Sequence, residues 1–189
     1  MRQFDLFTPQ AALQPNAELP LSAEVLADWQ QRLLAFQQQQ RQQPSSNAQG
    51  SLFSQQEPSN EPPEPLSLPP QHLQFWRWPE SLQQGAALYF VFDHSRGDGQ
   101  ELLLYVGETC QADRRWKGEH DCKSYLAAYG EALVRCGQQP RFTIRFWCDA
   151  PADARARRRM EQQQIRHWLP PFNKECRQRW QTPFQSDLH

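Results

Sequence analysis

A carboxylate set among guanidinium groups invites phosphate chemistry, and Glu161 directly follows Arg157-Arg158-Arg159-Met160 on a stretch patterned as a helix. The neighbouring positive charge should keep Glu161 ionised and draw in an anionic substrate. One carboxylate can hold one Mg2+ or Mn2+ when waters and a substrate phosphate complete the octahedron. Phosphodiester hydrolysis also needs an activated water, a cation near the non-bridging oxygens and help for the leaving oxygen. Arg158 and Ile165 lie about one turn either side of Glu161, which puts the carboxylate on the inward or cleft side of the helix. The bland alternative is a solvated glutamate paired with its arginines.

Two tyrosines form the second candidate group. Ala87-Leu88-Tyr89-Phe90-Val91-Phe92-Asp93 and Glu101-Leu102-Leu103-Leu104-Tyr105-Val106-Gly107-Glu108-Thr109 are apolar runs rich in aromatic and branched residues. They flank Gly97-Asp98-Gly99, a hairpin signature. The second run ends on Gly107, where a missing Cβ would let the backbone approach a ligand closely.

The remaining pattern supplies the elements that must hold these groups. Leu21 to about Arg41 reads as a helix with Ser22 as N-cap, Leu21 and Leu26 as a hydrophobic staple, and a stripe of Val25, Leu26, Trp29, Leu33 and Phe36 that dissolves into Gln37–Gln40. Residues 42–74 are rich in Gln, Ser and Pro and read as a linker, broken by the apolar island Gly50-Ser51-Leu52-Phe53. Phe75-Trp76-Arg77-Trp78-Pro79 then marks entry to a folded domain. Asp113 could cap a short helix carrying Arg114, Arg115 and Trp116, and Lys123–Cys136 reads as a helix ending at Gly137. Residues 142–147 alternate as a half-buried strand, and Asp149-Ala150-Pro151 opens a helix that Pro170-Pro171 stops near Trp168. The expected fold class is α/β in the α+β sense: a small antiparallel three-stranded sheet flanked by helices.

The order of these residues resembles the GIY-YIG nuclease family. Ala87-Leu88-Tyr89 stands for its first tripeptide and Tyr105-Val106-Gly107 for its second. Arg115 lies eight residues beyond Gly107, and Asn173, in Pro171-Phe172-Asn173, lies twelve beyond Glu161, as the family pattern requires. Two departures are visible: alanine replaces the first glycine at Ala87, and Tyr89 and Tyr105 are sixteen residues apart, more than is usual. The resemblance implies a metal-dependent DNA endonuclease of repair, recombination or defence, using Mg2+ or Mn2+. It implies that Tyr89 or Tyr105 acts as, or orients, the general base. Arg115 would bind the scissile phosphate, Glu161 the metal, and Asn173 would brace Glu161 or the phosphate side. His120 is a further candidate for sharing a proton, although it stands five residues after Arg115 rather than four. The alternative function is a non-catalytic DNA- or clamp-binding adaptor on the same scaffold. Domains follow as a disordered tail over 1–20, an amphipathic helix over 21–43, a linker over 44–74 and a GIY-YIG-like domain over 75–189.

Charge distribution fits a DNA partner better than net charge does. The chain totals −1, yet residues 1–75 hold three basic and seven acidic side chains while residues 140–189 hold ten and five. Five scattered cysteines without a C-x-x-C pair argue for a reducing compartment, and no apolar run is long enough to span a bilayer. The expectation is a cytoplasmic, nucleoid-associated protein with no membrane partner. Gln3-Phe4-Asp5-Leu6-Phe7 and Gln49-Gly50-Ser51-Leu52-Phe53 resemble the peptides with which bacterial proteins dock on the sliding clamp. In that resemblance Leu6, Phe7, Leu52 and Phe53 fill an apolar pocket while Gln3 and Gln49 bond its rim.

Overall fold

The computed structural model describes residues 21–42, 62–74, 85–112 and 121–184. Arg115, His120 and both clamp-like peptides (Gln3, Leu6, Phe7; Gln49, Leu52, Phe53) lie outside the described residues. The fold is α+β, with one antiparallel sheet packed among helices. Helix α1 runs Ala23–Gln42, α2 Asp121–Arg135, α3 Ala154–Trp168 and the single turn α4 Arg177–Trp180. Strands are β1 (Gln71–His72), β2 (Ala87–Asp93), β3 (Leu102–Thr109) and β4 (Phe142–Trp147), in the spatial order β1-β4-β2-β3.

The sheet therefore has four strands, where three were expected. The extra one, β1, comes from residues assigned above to the linker and pairs Gln71 with Ile144 and His72 with Thr143. Arg145 helps to fix this segment: its guanidinium donates to the Leu66 carbonyl (2.6 Å) and to Glu101 (2.6 Å) and lies over the Phe92 ring. Prolines and glutamines hid the strand because its backbone pairing asks little of side chains.

Strand β2 is central and every one of its residues is buried. A continuous apolar run, rather than an alternating one, suits a strand covered on both faces. Its hairpin with β3 carries a bulge: Val91 faces Tyr105 and Phe92 faces Leu103, so Leu104 is the additional residue.

Helix α1 is not an appendage. Leu26, Trp29, Leu33 and Leu34 belong to the main core, and the Trp29 indole donates to the Trp180 carbonyl (3.2 Å). Ser22 caps it as expected, its hydroxyl accepting from Val25 N–H. The apolar stripe shifts from the anticipated one, because Val25 is 52% exposed whereas Gln30 and Gln37 are buried. Gln30 donates to the Tyr129 hydroxyl, which donates to Asp93 (both 2.7 Å). A buried polar chain thus links α1, α2 and the end of β2.

Helix ends follow local chemistry. Helix α3 starts at Ala154, beyond the Asp149-Ala150-Pro151 expected to open it, because Asp153 caps it by accepting from Ala156 N–H (2.7 Å). Leu169 closes that helix in the left-handed region before the two prolines. Gly137 takes φ +75° after α2, where the Gln138 N–H reaches back to the Leu133 carbonyl.

Candidate functional site

The hairpin register brings the two tyrosines onto one face of the sheet. Tyr89 lies opposite Gly107 and Val91 opposite Tyr105, so positions 89 and 105 are diagonal neighbours. Their rings stack at 6.0 Å between centroids and 29° between planes. Tyr89 is fully buried, its ring also meeting Phe146 at 6.0 Å, whereas Tyr105 is half-buried.

Gly107 has an internal reason to be glycine. A Cβ built there would overlap the Tyr89 ring at Cζ and its hydroxyl oxygen and come within 2.8 Å of Cε1. The space expected for a ligand is occupied by the tyrosine opposite.

Glu161 occupies the inward stripe of α3. Arg157, Ile165 and Trp168 are buried on that stripe and Glu161 is half-buried among them. The neighbour one turn before is thus Arg157; Arg158, expected there, is 72% exposed. Arg157 donates to Glu108 of β3 (2.5 Å) and to the Pro151 and Ala152 carbonyls (3.0 Å each). Arg158 reaches the other oxygen of Glu108 at 3.5 Å. This arginine–carboxylate contact helps to fix the rotation of α3 against β3, and Glu161 follows one turn later.

Burial pushes the Tyr105 phenol far above its ordinary range, with Tyr89, Cys122 and the Glu161 carboxylate adding to the shift. The phenol is therefore a neutral hydrogen-bonding group and a poor source of phenolate. Orienting suits Tyr105 in this environment and proton abstraction does not.

Asn173 joins the group by a different route from the one expected. Its side-chain oxygen accepts from Val106 N–H (2.9 Å) and its nitrogen donates to the Val106 carbonyl (2.8 Å). Phe172 N–H adds a bond to the Leu104 carbonyl (3.0 Å). Further along β3, the Gln37 amide makes the same double contact with Leu103, at 2.9 and 2.8 Å. Two side-chain amides thus stand in for a neighbouring strand and satisfy the outer edge of the hairpin. Asn173 braces the strand that carries Tyr105 and Gly107.

Glu108 and Gln37 also position the site. A carboxylate at the end of an apolar strand was a usable signal for Glu108, but nothing distinguished Gln37 from the glutamines around it. Among the described residues no three His, Cys, Asp or Glu side chains converge as a metal cage. Glu161 alone fits a Mg2+ or Mn2+ that keeps waters and takes substrate oxygens as its other ligands; it does not fit a zinc-type cage. Nor is any helix among the described residues long and apolar enough to cross a membrane. Compared with protein-family models, curated proteins and solved structures, the chain matches none.

Proposed function

We propose that the chain is a DNA endonuclease that hydrolyses phosphodiester bonds at a site built on Tyr105 and Glu161. One observation carries the reading: the β2–β3 hairpin stacks a tyrosine pair on one sheet face, and α3, clamped to β3 by Glu108–Arg157, carries a half-buried carboxylate on its inward stripe. In this reading Glu161 is the ligand for Mg2+ or Mn2+, which when bound supplies charge stabilisation at the phosphate and acidifies a coordinated water. Tyr105, kept neutral, orients the attacking water, and Tyr89 holds the Tyr105 ring from beneath. Glu108–Arg157 and Asn173–Val106 position the two halves of the site. Arg115 and His120 are assigned to the phosphate and to proton sharing on the resemblance alone. Gln3–Phe7 and Gln49–Phe53 are proposed to recruit the chain to a sliding clamp in the bacterial cytoplasm.

The test uses the purified full chain on plain, damaged and branched DNA with Mg2+ or Mn2+. Glu161→Gln is expected to lower the cleavage rate on the order of 100-fold or more, within the range set by removal of one catalytic group. Its thermal melting should stay close to the parent's. Equal cleavage by parent and variant would remove Glu161 from the site.

Complete burial of Tyr89 favours a second reading, in which the scaffold binds DNA or a clamp without cutting. Binding in EDTA with no cleavage of any substrate under either metal distinguishes it.

A further inference from the structure

Helix α3 has a second face. At about 100° per residue, Arg155, Arg159 and Arg166 fall within about 40° of one another, and that stripe lies about 140° round the helix from Glu161. All three side chains are exposed, and none makes an ion pair or hydrogen bond among the described residues. They differ in this from Arg157 and Arg158, which Glu108 neutralises.

This charge arrangement does not serve the helix. No acidic residue occupies the first turn of α3, so Arg155 faces the positive end of the helix dipole. Arg155 and Arg159 are also like charges four residues apart, a repulsive spacing. Two acids lie near the row and keep their charge. Asp153 accepts from Ala156 N–H as the N-cap, and Glu175 receives a hydrogen bond from Gln162 at 3.2 Å with Lys174 beside it. Three arginines and Lys174 outnumber Asp153 and Glu175, so the stripe keeps a net positive charge, and an anion laid along it would relieve the repulsion.

The shape of the stripe selects the anion. From Arg155 to Arg166 it extends about 16 Å along the helix axis, comparable with roughly five base pairs of duplex. Its intervening outward positions are Gln162 and Gln163, so it presents no apolar centre of the kind a protein interface buries. Arginine, with its planar fork of donors, suits phosphate oxygens.

We propose that Arg155, Arg159 and Arg166 hold the phosphate backbone of a nucleic acid, along a stretch other than the one presented to Glu161. The proposal rests on the nucleic-acid part of the function above and is independent of cleavage.

The experiment measures binding of the full chain to a labelled linear DNA duplex, about three helical turns long, by fluorescence anisotropy. It is done in EDTA across a salt series. Each lost phosphate contact should reduce the slope of log K against log salt by about 0.9, so R155Q/R159Q/R166Q should lose about 2–3. A charge-matched control, R32Q/R135Q/R141Q, removes three exposed cations from elsewhere and should shift the slope by less than about 1. Arg159→Gln alone, expected to lose about 0.9, serves if the triple variant does not fold. Equal shifts in the triple variant and the control would show that only net charge matters and would overturn the proposal. So would an unchanged slope, or polyglutamate displacing the row-dependent binding as well as duplex does at equal charge. Row-dependent binding by a chain that never cleaves would leave the proposal standing and refute the nuclease. Cleavage with a row-independent slope would do the reverse.

Discussion

Replacing Gly107 by alanine should cost stability because of one specific neighbour. Gly107 carries no positive φ, so alanine is acceptable to the backbone; the obstacle is the Tyr89 ring, which already fills the position of the new methyl group. Tyr89 cannot swing away freely, since its ring is stacked on Tyr105 and packed on Phe146, with centroids 6.0 Å away in each case. Forcing a methyl group into a filled core site costs about 1–3 kcal/mol. For a chain of this size, about 2 kcal/mol lowers the melting temperature by roughly 4–8 °C. The neighbour is identified by a double-mutant cycle. Tyr89→Leu removes Cζ, Cε1 and the hydroxyl, so Gly107→Ala in that background should cost less than about 0.5 kcal/mol. Tyr89→Phe retains Cζ and should give no such relief. The assay is urea denaturation of the four members of the cycle. If Gly107→Ala is neutral in the parent, or equally costly in the Tyr89→Leu background, the close approach of the two strands is not what requires glycine.

Asn173→Ala leaves both main-chain polar groups of the buried residue Val106 without their partner, and the expected loss is about 2–4 kcal/mol, with faster hydrogen exchange at the Val106 amide. A loss under about 0.5 kcal/mol would mean that the edge of β3 needs no such brace. Asp93 supplies a pH prediction with a definite sign: burial raises its pKa above the ordinary 3.8, outweighing the Ser95 and Tyr129 hydrogen bonds that lower it. The folded chain thus holds this proton more tightly than the unfolded one, so the contribution is full below pH 3.8 and declines as pH rises through the folded value. Stability of the parent minus that of Asp93→Asn should therefore fall with rising pH over that window and then level off; a difference that grows with pH would refute the assignment.

The parts of this fold that were legible in the sequence are those in which side chains carry the information. The β2–β3 hairpin announced itself because consecutive Leu, Tyr, Phe and Val residues can only be buried as a central strand with a glycine-bearing turn beyond it. Helices α2 and α3 were visible from their periodicity and from Gly137 and Pro170, which stop them. What escaped was structure held by main-chain groups or by amides. Strand β1 needs only a backbone ladder to β4, so His72 and Gln71 carry no apolar alternation to detect. Gln37 looks like one more member of a glutamine tract, yet it alone of Gln37–Gln40 faces Leu103, and a helical phase shift of one residue would have turned it to solvent. The same reasoning explains why the sequence points Glu161 inward through the wrong neighbour. Arg157 and Arg158 are identical by type, and the fold decides which is buried: Arg157 shares the stripe of Ile165 and Trp168 and is held by Glu108 and the Pro151 and Ala152 carbonyls. That placement also separates the two faces of α3. Once Arg157 is consumed by Glu108, the inward stripe retains Glu161 as its carboxylate toward Tyr105, and Arg155, Arg159 and Arg166 are left to the outside. The rotation of α3, set by its buried Ile165 and Trp168 together with Glu108–Arg157, thus sorts one arginine-rich segment into a positioning residue, a proposed metal ligand's setting and a proposed phosphate-holding row.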